Sequence, residues 1–287
     1  MNEKRRKKIA LLPNVITAFG LSCGLFVIFK MNMIGVGEVN NQILTAVTGI
    51  LLLAAFADLL DGAIARAIKA ESEFGGIFDS LADSISFGVA PSVIILKSLS
   101  IVPGTQLSFF VTSAAIIFSL CGVLRLARFH VNSLATKENF EIANLQNKHF
   151  TGLPIPAGAA SAISLNLFLA SATTDSSLPI DFSILSKSWI LSLALILLGY
   201  CMISRWKFPS IKTLEIRVKS FRIVFLTVLA AVLIFYGIIY HFALIFLILS
   251  WSYVVIAWAI AIIRKFAGRE SKTLQEFEPE PDELEEE

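Results

Sequence analysis

Four carboxylates stand where apolar helices tolerate few. The segment AFADLLDGAIARAIKAESEFGGIFDSLADSISFGVAP, residues 55–91, carries Asp58, Asp61, Asp79 and Asp83. At the centre of a membrane span an ionised Asp costs roughly 2.5–3.5 kcal/mol on insertion scales, and less near the interface. Positions three or four apart share a helical face, so Asp58 and Asp61 form one stripe and Asp79 and Asp83 a second. Gly62 and Ala65 belong to the first stripe and leave room beside its carboxylates. Four converging negative charges repel and take up protons unless cations sit between them. Hard divalent ions with oxygen ligands are the natural partners, and a two-metal cluster suits phosphoryl chemistry. Arg66, one turn on, adds a planar fork for a phosphate. Aspartates at helix ends also cap or simply reach water; the shared phase of all four, with Gly62 and Arg66 interleaved, argues against that reading.

The elements that must position these groups are membrane helices. Of 287 residues, 56% are apolar and only 16% charged, with mean hydropathy +0.76, which excludes an ordinary soluble domain and a disordered chain. Apolar runs long enough to span a bilayer fall near 14–33, 43–65, 80–99, 107–126, 154–172, 188–204, 221–240 and 243–263. Lys4, Arg5, Arg6, Lys7 and Lys8 precede the first run, but its length and missing small-residue cleavage site make it a retained helix rather than a signal peptide. The expected fold is all-α, a polytopic bundle of about eight transmembrane helices.

Charge sets the expected orientation. Eight of the 22 acidic residues lie in the last twelve positions, leaving 24 basic against 14 acidic residues, a net +10, on residues 1–275. Lys and Arg occupy the N-terminus, the 66–79 turn, the 125–150 loop, the 205–222 loop and the 264–272 segment. The connection 34–42 has none, and 173–187 has only Lys187. The positive-inside rule then places both termini and the aspartates at the cytoplasmic face. Cys23, Cys121 and Cys201 have no paired spacing, and His130, His149 and His241 no metal-ligand spacing. The acidic end, 266–287, reads as a disordered cytoplasmic tail, and no nucleic-acid partner is expected.

The pattern Asp58-x2-Asp61-Gly62-x2-Ala65-Arg66-x8-Gly75-x3-Asp79-x3-Asp83 resembles, without gap or substitution, the signature of the CDP-alcohol phosphotransferases. In that family an alcohol hydroxyl attacks a CDP-linked lipid or alcohol and CMP leaves. The resemblance implies two divalent cations, Mg²⁺ or Mn²⁺, held by Asp58, Asp61, Asp79 and Asp83, with Asp83 also the general base. It implies that Gly62 and Arg66 hold the CDP portion, with Ser72 a further candidate outside the fixed positions. The domain layout that follows is a basic N-terminus at 1–10 and a CDP-alcohol phosphotransferase membrane domain at 11–204. A C-terminal transmembrane pair with a basic loop occupies 205–265, and the tail follows. The catalytic core would be the first six spans.

Further stretches resemble the membrane-embedded branch that makes phosphatidylserine. They are Leu12-Pro13-Asn14-Val15-Ile16-Thr17 followed by Gly20-Leu21-Ser22-Cys23-Gly24, Phe78-Asp79-Ser80-Leu81-Ala82-Asp83-Ser84 running on into Ser86-Phe87-Gly88-Val89-Ala90-Pro91, Cys121-Gly122-Val123-Leu124-Arg125-Leu126-Ala127-Arg128-Phe129 and Phe150-Thr151-Gly152-Leu153-Pro154-Ile155-Pro156-Ala157. Branches that make phosphatidylglycerol phosphate typically have Pro after the third Asp and Lys after the fourth, where this chain has Ser80 and Ser84. The resemblance implies CDP-diacylglycerol and L-serine as substrates, a homodimer, and a bacterial inner-membrane enzyme. It places Asn14 and Thr17 near the nucleotide, although both residue types also suit a helix N-terminus. Arg125 and Arg128, spaced i, i+3, can face one anion, the acceptor carboxylate or the donor phosphate; as ordinary positive-inside residues they need face none. Pro154 and Pro156 mark the start of the fifth span. The alternatives are the same chemistry on glycerol 3-phosphate or inositol phosphate, an archaeal-type lipid donor, and, in another class, a cation transporter. A transport path wants polar groups through the midplane, whereas these carboxylates gather at one end.

Overall fold

The computed structural model describes residues 11–68, 72–138, 150–172, 183–204, 207–208 and 241–266. Its helices are α1 (Leu12–Met33), α2 (Asn41–Ile68), α3 (Glu73–Ser98), α4 (Gln106–Glu138), α5 (Ile155–Ser171), α6 (Ile184–Ile203) and α7 (Phe242–Phe266). Six of them are long and apolar enough to cross a membrane, and α5 is a shorter apolar helix of 17 residues. Large apolar side chains such as Phe26, Phe29, Leu53, Phe109 and Leu193 cover the outside, as a lipid-facing surface requires. The chain is a helical membrane bundle. The span expected at 221–240 and the tail beyond 266 lie outside the described residues.

Local chemistry starts and bends these helices. Proline stands in the first turn of α1 and of α5, where its missing N–H costs no helical bond. The Ser72 hydroxyl accepts from the Gly75 N–H at 3.0 Å and caps α3, so this helix begins well before the apolar run at 80–99. Asp79 and Asp83 therefore sit inside α3, in its second and third turns. Directly after Asp83, residues Ser84–Val89 form a π-helical turn, with the Ala90 N–H donating to the Ile85 carbonyl. Pro91 follows and cannot donate to the preceding turn, which favours this local re-registration.

Small residues and hydroxyls bring the helices together, as expected where lipid removes the hydrophobic drive between them. The Ser119 hydroxyl on α4 donates to the Gly88 carbonyl of α3 at 2.8 Å and lies 2.9 Å from the Ser92 hydroxyl. Gly199 of α6 packs against Cys121 of α4, and Ile155 of α5 against Gly122. Helix α5 touches α2, α3, α6 and α7, and Phe118, Leu153, Ile155, Leu195 and Met202 are fully buried in the bundle. The backbone of Phe150–Thr151 (β1) pairs antiparallel with Lys207–Phe208 (β2), and the Leu153 N–H donates to the Cys201 carbonyl. Gly152 permits that reversal at φ +79°.

Helices α1 and α3 approach closely at Gly24. A Cβ on Gly24 would lie 2.8 Å from the Ser86 Cα. Gly24→Ala is expected to lower stability by about 1–3 kcal/mol, read as a lower melting temperature in detergent. An unchanged melting temperature would show that α1 and α3 separate freely.

Candidate active site

The last turns of α2 and the second and third turns of α3 deliver the aspartates to one place. Asp58, Asp61 and Asp79 each offer a carboxylate oxygen, and these atoms lie within 4.8 Å of one another. Asp83 joins them along the wall of the same cleft. Thr17, Ser86 and Phe87 also line it. The carboxyls of Asp58 and Asp79 are within hydrogen-bonding reach, and the four charges act on one another. Asp61 is buried, with 5% of its surface exposed. An all-oxygen set of this kind fits a hard divalent cation, whose charge would offset the repulsion.

The third contributor comes from α1. The Thr17 hydroxyl lies 2.5 Å from Asp61 Oδ2 and 3.1 Å from the Pro13 carbonyl. Its single proton serves one partner at a time, and the shorter contact is to Asp61. Neither Thr17 nor Asn14 caps α1: Leu11 occupies the N-cap position without a side-chain bond. Thr17 instead orients a carboxylate, the kind of outer contact that tunes a metal ligand. Thr17→Val is expected to raise the divalent-ion concentration needed for half-maximal activity about 10–100-fold, read by Mn²⁺ titration. An unchanged titration would remove Thr17 from the site.

The other expected residues divide. The Arg66 guanidinium folds back over Gly62, where a Cβ would lie 3.4 Å from Arg66 Nη1, and its charge acts on Asp61. Asn14 and Ser72 meet over Gly75, since a Cβ there would lie 3.1 Å from Asn14 Oδ1 and 3.0 Å from Ser72 Oγ. This group adjoins the start of α3 rather than the aspartate cleft. The charge of Arg125 acts on Asp83, and its Nε is fully buried with no hydrogen-bond partner among the described residues. Arg128 donates through Nη1 to the Ile203 carbonyl at 3.0 Å, tying α4 to the end of α6. Ser86 and Phe87, which the sequence gives only as part of a stretch resembling the phosphatidylserine branch and not as site residues, line the cleft. Ser86 falls one turn after Asp83 and its hydroxyl approaches the Gly20 carbonyl at 3.4 Å; Phe87 closes the wall beside it. Gly24 on α1 leaves the space that Ser86 fills.

The family model described as CDP-alcohol phosphatidyltransferase matches residues 10–200. A protein of Methanocaldococcus jannaschii named CDP-diacylglycerol–serine O-phosphatidyltransferase is 33% identical over 71% of this chain and 76% of its own length. Proteins with the same name from Bacillus subtilis and Helicobacter pylori are 30% and 29% identical. The first aligns over 70% of this chain and 91% of its own length, the second over 86% and 93%. The motif, its convergence across α2 and α3, and a family match over more than half of the chain lead to one conclusion: the chain belongs to the CDP-alcohol phosphatidyltransferase family, a family of transferases.

Proposed function

We propose that the protein transfers the phosphatidyl group of CDP-diacylglycerol to the hydroxyl of L-serine, giving phosphatidylserine and CMP. The observation that carries this reading is the meeting of Asp58, Asp61 and Asp79, with Asp83 in the same cleft, in a chain whose relatives bear that enzyme's name. Asp58, Asp61 and Asp79, with Asp83 beside them, would hold two divalent cations, Mg²⁺ or Mn²⁺. When bound, these supply the positive charge that offsets the pyrophosphate as its bond to CMP breaks.

The chain's own residues do the rest. Asp83 accepts the serine hydroxyl proton as the oxygen bonds to the phosphatidyl phosphorus, because a free hydroxyl is a weak nucleophile at neutral pH. Thr17 holds Asp61 in place. Gly62 and Arg66 take the CDP phosphates, and Asn14 and Ser72 the outer part of the nucleotide. Arg125, which acts on Asp83 and has an unpartnered Nε, takes the acceptor carboxylate. Arg128 stands three residues on and is bound to α6. The acyl chains remain in hydrocarbon while the serine arrives from water.

The distribution of Lys and Arg supports a cytoplasmic site and cytoplasmic termini, and the single-chain form suits a bacterial inner membrane. A homodimer, the catalytic domain at 11–204 and a C-terminal pair at 205–265 complete the reading. An acceptor panel tests it: CMP release from CDP-diacylglycerol by purified protein with L-serine, glycerol 3-phosphate or inositol phosphate. Stimulation by L-serine supports the assignment. Stimulation by another alcohol alone keeps the chemistry and overturns the acceptor. Absence of CMP release with all three, from folded protein, brings back the transporter.

A further inference from the structure

We propose that Ser119, on α4, is a positioning residue: its bond to the Gly88 carbonyl holds the π-helical turn of α3 that sets Asp83 in the cleft. This rests on the assignment of Asp83 as the base. An α-helix turns about 100° per residue, so the extra residue of a π-turn offsets the faces before and after it by about that angle. In α3 the two faces have different duties. Before the turn, Asp79 and Asp83 line the cleft. After it, Ala90, Ile94 and Ile95 are fully buried in the bundle. A regular α-helix seated on Ala90, Ile94 and Ile95 would therefore rotate Asp83 out of its place beside Asp58 and Asp61.

The turn is weak on its own. The Ala90 N–H goes to the Ile85 carbonyl and Pro91 has none, so the α-helical bonds to the Ser86 and Phe87 carbonyls are missing. Neighbouring helices grip it from two sides. On α1, Gly24 makes room for Ser86, whose hydroxyl approaches the Gly20 carbonyl at 3.4 Å. On α4, the Ser119 hydroxyl reaches the Gly88 carbonyl at 2.8 Å. Ser92 Oγ lies 2.9 Å from Ser119 Oγ and donates its own proton to the Ala115 carbonyl at 3.1 Å, which leaves the Ser119 proton for Gly88. A Cβ on Gly88 would lie 3.6 Å from Ile155 Cδ1 and 3.9 Å from the Ser119 carbonyl, so the backbone of the turn lies against α4 and α5.

Ser119→Ala removes the hydroxyl and nothing else. The expected result is a kcat lowered about 10–100-fold, on the scale of a misplacement of about 1 Å, with the KM for L-serine and for CDP-diacylglycerol within about twofold of wild type. Ser92→Ala, which leaves the Ser119–Gly88 bond in place, should keep kcat within about twofold. Added to Asp83→Asn, Ser119→Ala should lower kcat by no more than about twofold further, because its effect passes through Asp83. An unchanged kcat in Ser119→Ala overturns the proposal. So does the full loss repeated in the Asp83→Asn background, an equal loss in Ser92→Ala, or a matching rise in both KM values, each of which a merely structural role would produce. If Ser119→Ala does not survive extraction, the same rates are measured in isolated membranes per amount of tagged protein. Near wild-type turnover by Asp83→Asn removes the base and this proposal with it, whereas an inactive Asp83→Asn beside a fully active Ser119→Ala sinks this proposal alone. If the wild type uses another alcohol instead of L-serine, the same comparison is made with that alcohol and decides in the same way.

Discussion

Asp83→Asn is expected to lower serine-dependent CMP release by about 10²–10⁴-fold, the usual contribution of a positioned general base. The amide keeps the shape of the side chain and cannot accept the hydroxyl proton. Asp83 faces the same cleft as the other three carboxylates and directly precedes the π-helical turn that sets Ser86 and Phe87 into its wall. The substitution leaves the close set of Asp58, Asp61 and Asp79 intact. Binding of CDP-diacylglycerol should therefore persist, and the loss should appear in kcat. A variant with near wild-type turnover would move the base elsewhere. A loss seen only in the KM for CDP-diacylglycerol would make Asp83 a binding residue.

The second large effect concerns the cations. Removal of divalent ions by a chelator should abolish CMP release, and restored Mg²⁺ or Mn²⁺ should recover it. Asp61→Asn should resist that recovery. Asp61 is the buried member of the set, held by Thr17, and its replacement removes a charged ligand together with the acceptor of that hydroxyl. We expect at least about 10²-fold loss at ordinary Mn²⁺ concentrations, since oxygen-ligand sites are tuned by ligand charge. Protein that retains full activity in chelator would contradict metal-assisted transfer. Full activity of Asp61→Asn at ordinary Mn²⁺ would take Asp61 out of the metal set.

The aspartate cluster is legible in the sequence because its information is local. Helical spacing alone puts Asp58 with Asp61 and Asp79 with Asp83, whereas the place beside Gly62 is taken by the Arg66 guanidinium. The helices themselves are legible from the length of the apolar runs, with α3 the instructive exception. Its polar first turns escape a hydropathy reading, and only the Ser72 cap shows that the helix already runs through Asp79. The π-helical turn after Asp83 has no 3.6-residue signature, so the entry of Ser86 and Phe87 into the cleft cannot be read from spacing.

What stays hidden joins residues far apart in sequence. Thr17 suits a helix cap by type, yet it turns to Asp61 on α2. Arg125 and Arg128 share an i, i+3 face, and a common anion is a fair expectation. The structure gives Arg128 a backbone partner on α6, while the Arg125 Nε has none among the described residues.

The most direct test of the central claim follows both products at once. Purified protein would be given CDP-diacylglycerol, isotopically labelled L-serine and Mn²⁺, and CMP and labelled phosphatidylserine would be measured over time. The account predicts that the two appear in equal amounts, that both require L-serine and the divalent ion, and that both are lost in Asp83→Asn. CMP formed without labelled lipid, or in equal amount without L-serine, would contradict it.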